Sequence, residues 1–194
     1  MQHANLGLIL ITILCTFGLI FAQQRSKGVK IFWPICFLAI FQIGSTFWID
    51  TEERFWIFLI INLMWTPLAL DDFFNKSVPV WSLIISAGLS GVAFLYFNIT
   101  SLNILVTVVI ILLTARLIIF FIETMLSIQL IGGADYLAAF AFISSLHSHV
   151  IGYWIMLFSL LGILHAVRAS RAQETIPLIP FMLASWCLVF SMTS

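Results

Sequence analysis

Apolar residues dominate this chain in eight long blocks, separated only by short polar turns. The blocks lie at about 5–22, 31–49, 55–70, 80–97, 101–121, 130–146, 150–166 and 177–193. A helix that spans a bilayer needs about 20 apolar residues, with roughly 17 to 25 tolerated. Backbone groups in lipid must be satisfied within the segment, so the blocks are assigned as helices and not as open strands. The pattern predicts an all-α, polytopic transmembrane bundle of about eight spanning helices, forming a single domain over residues 1–194. The third and sixth blocks are the shortest or most interrupted. The first block resembles a signal peptide in its apolarity, but residues 1–5 carry only His3 and no basic n-region, so it is read as a retained span.

Composition agrees with this pattern. Of 194 residues, 62% are hydrophobic and 8% are charged, against roughly 25% charged in soluble domains. A soluble fold this apolar would expose patches that aggregate, so the lipid bilayer is the expected surroundings. The formal net charge is zero, which offers no basic field for nucleic acid. Cys15, Cys36 and Cys187 each sit inside an apolar block and form no Cys-x-x-Cys pair. Neither a zinc site nor a disulfide framework is expected.

Charge placement orients the helices, since basic loops stay in the cytoplasm. Arg25, Lys27 and Lys30 place the first loop inside, and the acidic turn from Asp50 to Arg54 falls outside. Alternation then puts the turn around Asp72 and Lys76 inside and residues 98–101 outside. It puts residues 123–134 inside, the His147–His149 turn outside, and residues 168–174 inside. Both termini are expected outside.

Ionisable groups at membrane depth are costly, and each is a functional candidate. Two patterns stand out. In the first, Asp71 and Asp72 end an apolar helix, a polar turn follows, and Pro79 opens the next helix, where a missing N–H costs nothing. The second is Gly132-Gly133-Ala134-Asp135, where two glycines allow unusual backbone geometry or close helix approach. Taken singly, each is better explained by interfacial solvation or helix packing and capping. Together they place Asp72 and Asp135 on one side of the membrane. Two neighbouring carboxyls do not both ionise easily, so one keeps a proton while the other serves as base.

These motifs resemble those of the type IV prepilin peptidases, membrane aspartyl proteases of the GxGD type. The family's first motif is an Asp, six residues and a Pro with basic residues between, matched by Asp72 to Pro79 with Lys76 inside; Asp71 misses the spacing. Its second, Gly-x-Gly-Asp, tolerates the Gly-Gly-Ala-Asp seen at 132–135. Its closing Ile-Pro-Phe-Gly-Pro-Phe segment resembles Ile176-Pro177-Leu178-Ile179-Pro180-Phe181. The chain departs from the family at Leu137, where a Lys is common, at Val80 after the Pro, and in the missing Gly of the third motif.

The resemblance implies an aspartic endopeptidase at the cytoplasmic face of the cell's inner (plasma) membrane, with Asp72 and Asp135 catalytic and no metal or organic cofactor. Its implied partner is a prepilin-like protein with a short basic leader and one hydrophobic helix, as used in type IV pilus and protein-secretion systems. The short loop Gln23–Lys30, without paired cysteines, resembles the form that cleaves but does not methylate. The second reading is non-enzymatic: a small transporter, or a decayed homologue acting in pilus or secretion assembly. The remaining polar residues have simpler assignments. Arg116 and Glu123, seven apart, share a helical face and are expected to pair. His147 and His149 are too few ligands for zinc. Trp33, Trp48, Trp56 and Trp81 are expected as interfacial anchors, and His165, Arg168 and Arg171 as headgroup contacts. The cluster Ser86-Ala87-Gly88-Ser90-Gly91 is expected to pack closely against another helix.

Overall fold

The computed structural model describes residues 32–75, 77–126, 132–169 and 176–193. The block at 5–22, the loop Gln23–Lys30, Lys76 and Arg171 lie outside the described residues. Among the described residues the chain is all-helical, with seven helices: α1 (Phe32–Thr46), α2 (Glu52–Asn75), α3 (Val80–Tyr96), α4 (Leu102–Leu126), α5 (Gly133–Ile143), α6 (Ser148–Ala169) and α7 (Ile179–Met192). Each falls on one predicted block. Three are long and apolar enough to cross a membrane: Glu52–Asn75, Leu102–Met125 and Ser148–His165.

The shorter helices correct the expected boundaries. α5 has 11 residues, about 17 Å at 1.5 Å per residue, well short of a hydrocarbon core of about 30 Å. It starts after the extended Gly132 and ends where the Ser144 and Ser145 hydroxyls bond back to the Phe140 and Phe142 carbonyls. Such side-chain-to-backbone bonds favour turns. α2 departs in the opposite sense. It runs on past residue 70 and through Pro67 to Asn75, so Asp71 and Asp72 lie within its last turns and not in the polar turn beyond.

The core is built around α7. Nearly every residue from Ile179 to Ser191 is buried, as expected of a helix apolar on all sides. α1, α2, α5 and α6 pack around it. Several of its groups bond to neighbouring helices, while the buried Ser185 hydroxyl has no partner among the described residues. Trp154 Nε1 donates to the Met182 carbonyl at 3.1 Å, Trp186 Nε1 to Ser145 Oγ at 2.7 Å, and Cys187 Sγ to Asn62 Oδ1 at 3.3 Å. Trp186 also stacks on Phe58 and Phe190. In a membrane, lipid replaces water around the bundle, so packing and such internal hydrogen bonds carry helix association.

α3 packs against α2 and α5 through the predicted small-residue cluster. Ser86, Ala87, Ser90 and Gly91 are buried. Ser90 Oγ accepts from Trp65 Nε1 at 3.0 Å, and a Cβ at Gly91 would touch the Phe140 ring at 3.8 Å. Gly88, by contrast, faces open space. α4 stands outermost. It packs on α5 and leaves Leu102, Ile110, Leu113, Leu117 and Phe121 exposed, an apolar surface of the size that marks a membrane or partner contact. Trp48, Trp56 and Trp81 are exposed near helix ends, where interfacial aromatics sit; the Trp33 side chain lies outside the described residues.

Candidate active site

Asp72 is carried on the last turns of α2 and is partly buried. Its Oδ2 accepts the Ile179 backbone N–H at 3.2 Å. Ile179 is the first residue of α7, with Pro180 beside it, and a helix's first N–H groups have no partner within the helix. The positive end of the α7 dipole also favours a carboxylate there. One oxygen of Asp72 therefore caps α7 from another helix, and among the described residues no donor bonds Oδ1. The neighbouring Asp71 behaves differently: its Oδ1 accepts from Asn75 Nδ2 on the exposed side of α2.

Asp135 lies in the first turn of α5 and is also partly buried. Its Oδ2 accepts the Gly132 N–H at 3.0 Å, while its own N–H donates to the Gly132 carbonyl at 3.1 Å. This is half of a capping box, with the acid reaching back to the residue before the helix. The glycines work otherwise than expected. Gly132 has φ −73° and ψ 151°, an extended conformation open to any residue, and Gly133 is helical. What Gly132 supplies is room: a Cβ there would lie 3.2 Å from Asp135 Oδ2.

The two acids, remote in sequence, lie within electrostatic reach of each other: Asp135 contributes to the field at Asp72, as does Asp71. The carboxyls do not hydrogen-bond each other; each is held by one backbone N–H. The third motif arrives with them, because Ile179 is both the Asp72 donor and the start of the buried helix on which α2 and α5 pack.

Beside Asp135, a groove of 430 Å³ opens between α3, α4 and α5, lined by Gly88, Leu113, Gly133, Leu137 and Phe140 with Arg116 and Tyr136. Arg116 pairs with Glu123 at 3.1 Å, as their spacing predicts, and lies over the Tyr136 ring at 5.4 Å. Leu137 packs against the hydrophobic core.

Sequence reasoning missed two residues here and the neighbours of a third. The Ile179 N–H is invisible in a sequence because its role is a backbone one. Arg54 donates to the Thr193 and Phe190 carbonyls at 2.6 and 2.9 Å and to Thr193 Oγ1 at 2.9 Å, capping the far end of α7. His165 has aromatic neighbours that its sequence does not announce. It is partly buried, with its ring 5.4 Å from those of both Phe73 and Phe181, next to the Asp72 and Ile179 pair. Nothing in its local sequence separates it from an interfacial histidine; only the packing of α6 on α7 does. The His147 and His149 rings stack, 5.7 Å apart. Among the described residues no three His, Cys, Asp or Glu side chains converge as metal ligands.

Comparisons of the chain with protein-family models, with curated proteins and with solved structures return no match.

Proposed function

We propose that this chain is an intramembrane aspartyl endopeptidase of the prepilin-peptidase kind, with Asp72 and Asp135 as its catalytic pair. The observation that supports this reading is that each acid is anchored by one backbone N–H and that Asp135 lies within electrostatic reach of Asp72. Such anchoring fixes orientation without using up the carboxyl. A pair of interacting acids shares its proton, and the titration belongs to the pair.

The reaction follows from that shared proton. The ionised carboxylate takes a proton from a water held between the acids, and the water oxygen bonds to the scissile carbonyl carbon. The protonated carboxyl gives its proton to the carbonyl oxygen. As the C–N bond breaks, a proton passes to the departing amine and the carbonyl re-forms as a carboxylic acid. One water is consumed, and no metal or organic cofactor takes part.

The substrate in this reading has a short basic leader followed by a hydrophobic helix, and is cut at their junction. The apolar groove beside Asp135 has the character such a helix needs, with small residues at Gly88 and Gly133 that permit close helix approach. In this reading the acids lie at the cytoplasmic face of the inner membrane, and the short α5 crosses only together with the residues that flank it. The product leaves with an unmodified N-terminus. The non-enzymatic reading, a transporter or an assembly factor, draws on Leu137, which packs an apolar side chain against the core two residues from the acid.

Purified protein in detergent, incubated with a substrate of that design and examined by mass spectrometry, separates the two. The protease reading expects two fragments that meet at the leader–helix junction. Intact substrate with the wild-type chain, at equal folding and concentration, would falsify it.

A further inference from the structure

At the end of the bundle opposite the aspartates, two turns enclose a second cavity. Arg54 and Asp72 lie on the same helix, 18 residues apart, so about 27 Å separates the two ends. The cavity measures 520 Å³, within the range of about 300–1,000 Å³ typical of small-ligand sites. Asn98, at φ 55°, takes the left-handed conformation that Asn tolerates better than most residues. Ile99 N–H then bonds the Phe94 carbonyl at 2.9 Å and Asn98 N–H the Leu95 carbonyl at 3.1 Å. This Schellman closure of α3 delivers Thr100 to the cavity wall. The α5–α6 turn supplies His147 and Ser148 from the other side, and Arg54 reaches in from α2.

The wall carries hydrogen-bond donors that protein acceptors leave unused. Thr100 is 9% exposed, and its hydroxyl is buried with no partner. Arg54 Nε is likewise buried and unpartnered, although its other nitrogens cap α7. The exposed Ser148 hydroxyl and His147 ring make no hydrogen bond among the described residues. Ser144, Ser145 and Thr107, also in the wall, already donate to backbone carbonyls. Among the described residues no carboxylate lines the cavity, although Asp50 acts on Arg54 from outside it. The α6 N-terminus opens at Ser148 and adds the positive end of a 22-residue helix. Buried donors without acceptors are costly, and a donor set with one guanidinium and no acid suits an anion with several oxygens. The rest of the wall is apolar, with Ile104, Val108, Ile111 and Ile151.

We propose that this cavity is a phosphate-binding site, held by Arg54, Thr100, Ser148 and His147, on the face of the bundle remote from the aspartates. The phosphate belongs to a lipid headgroup or is free, and the test separates these sources. Full-length protein in detergent is titrated with inorganic phosphate, with short-chain phosphatidylglycerol, and with a diacylglycerol of equal chain length, reading the unfolding temperature. A saturable rise with phosphatidylglycerol alone assigns a lipid headgroup. A rise with both phosphate compounds assigns the phosphate group itself. Thr100→Val with Ser148→Ala keeps side-chain volume and weakens binding about tenfold, the equivalent of one net hydrogen bond. Ser148 is exposed, so Ser148→Ala alone keeps the fold and gives a smaller loss in the same direction. Absence of a saturable rise with either phosphate compound, an equal rise with diacylglycerol, or unchanged affinity in these variants overturns the proposal.

Discussion

Helices α2 and α7 lie side by side, and α2 caps α7 at both ends, yet the two caps differ in kind. At one end Arg54 gives three hydrogen bonds to the last turn of α7 and lies over the Phe190 ring at 4.6 Å. At the other, Asp72 accepts one N–H from Ile179 and lies within electrostatic reach of a second acid. Both charges suit the α7 dipole, acid at the N-terminus and base at the C-terminus. The guanidinium is largely occupied by its cap. The carboxylate is positioned by its cap but left with an oxygen and an acidic neighbour. One device therefore serves stability at one end and, in the proposed function, holds a reactive group in place at the other.

The comparison breaks most sharply at the acidic end. Asp72→Asn and Asp135→Asn are each expected to lower cleavage by at least about 100-fold, the scale of losing a general acid or base. Asp72→Asn leaves the cap intact, because the amide oxygen accepts the Ile179 N–H as the carboxylate does. Asp72→Ala removes the cap too and is expected to cost about 1 kcal/mol of stability. Thermal unfolding of the two variants in detergent checks the distinction, and equal stabilities would remove capping from the role of Asp72.

At the basic end, Arg54→Ala is expected to destabilise the chain by about 2 kcal/mol, the scale of hydrogen bonds from a charged donor. Its unfolding temperature should fall further than that of Asp72→Ala. A smaller fall would show that the three bonds to α7 contribute little.

A subtler test adds one methyl group. Gly132→Ala brings a Cβ to 3.2 Å from Asp135 Oδ2, tight enough to turn the carboxyl. Cleavage is expected to fall about tenfold, the loss expected when a catalytic group is displaced by a fraction of an ångström, while the protein still inserts. Full activity would mean that the acid tolerates reorientation. The smallest effect belongs to Asp71→Asn, on the exposed side of α2. Surface changes usually stay within about 0.5 kcal/mol, so its rate should remain within about twofold of wild type.

Much of this arrangement was legible in the sequence. Long apolar blocks located all seven described helices, because helix content in lipid follows from length and apolarity. The Arg116 and Glu123 pair followed from helical spacing, and the small-residue cluster on α3 proved to be a packing face. Boundaries were less legible. α2 passes through Pro67 and on to Asn75, since nothing between residues 70 and 75 breaks a helix, while α5 stops early at hydroxyls that bond their own backbone. The glycines before Asp135 showed that something close approaches, but not that it is the acid's own oxygen. Least legible were contacts between distant segments. Arg54 reads as a turn residue until α7 is laid beside it, and His165 reads as interfacial until Phe73 and Phe181 surround it.

The most direct test of the account is the cleavage rate of purified wild type, Asp72→Asn, Asp135→Asn and the double variant, on one substrate with a basic leader and a hydrophobic helix. Groups that act as a unit are non-additive, so each single variant should be as inactive as the double, with all four proteins equally folded. Substantial cleavage by either single variant, or losses that simply multiply in the double, would contradict a shared role for the two acids.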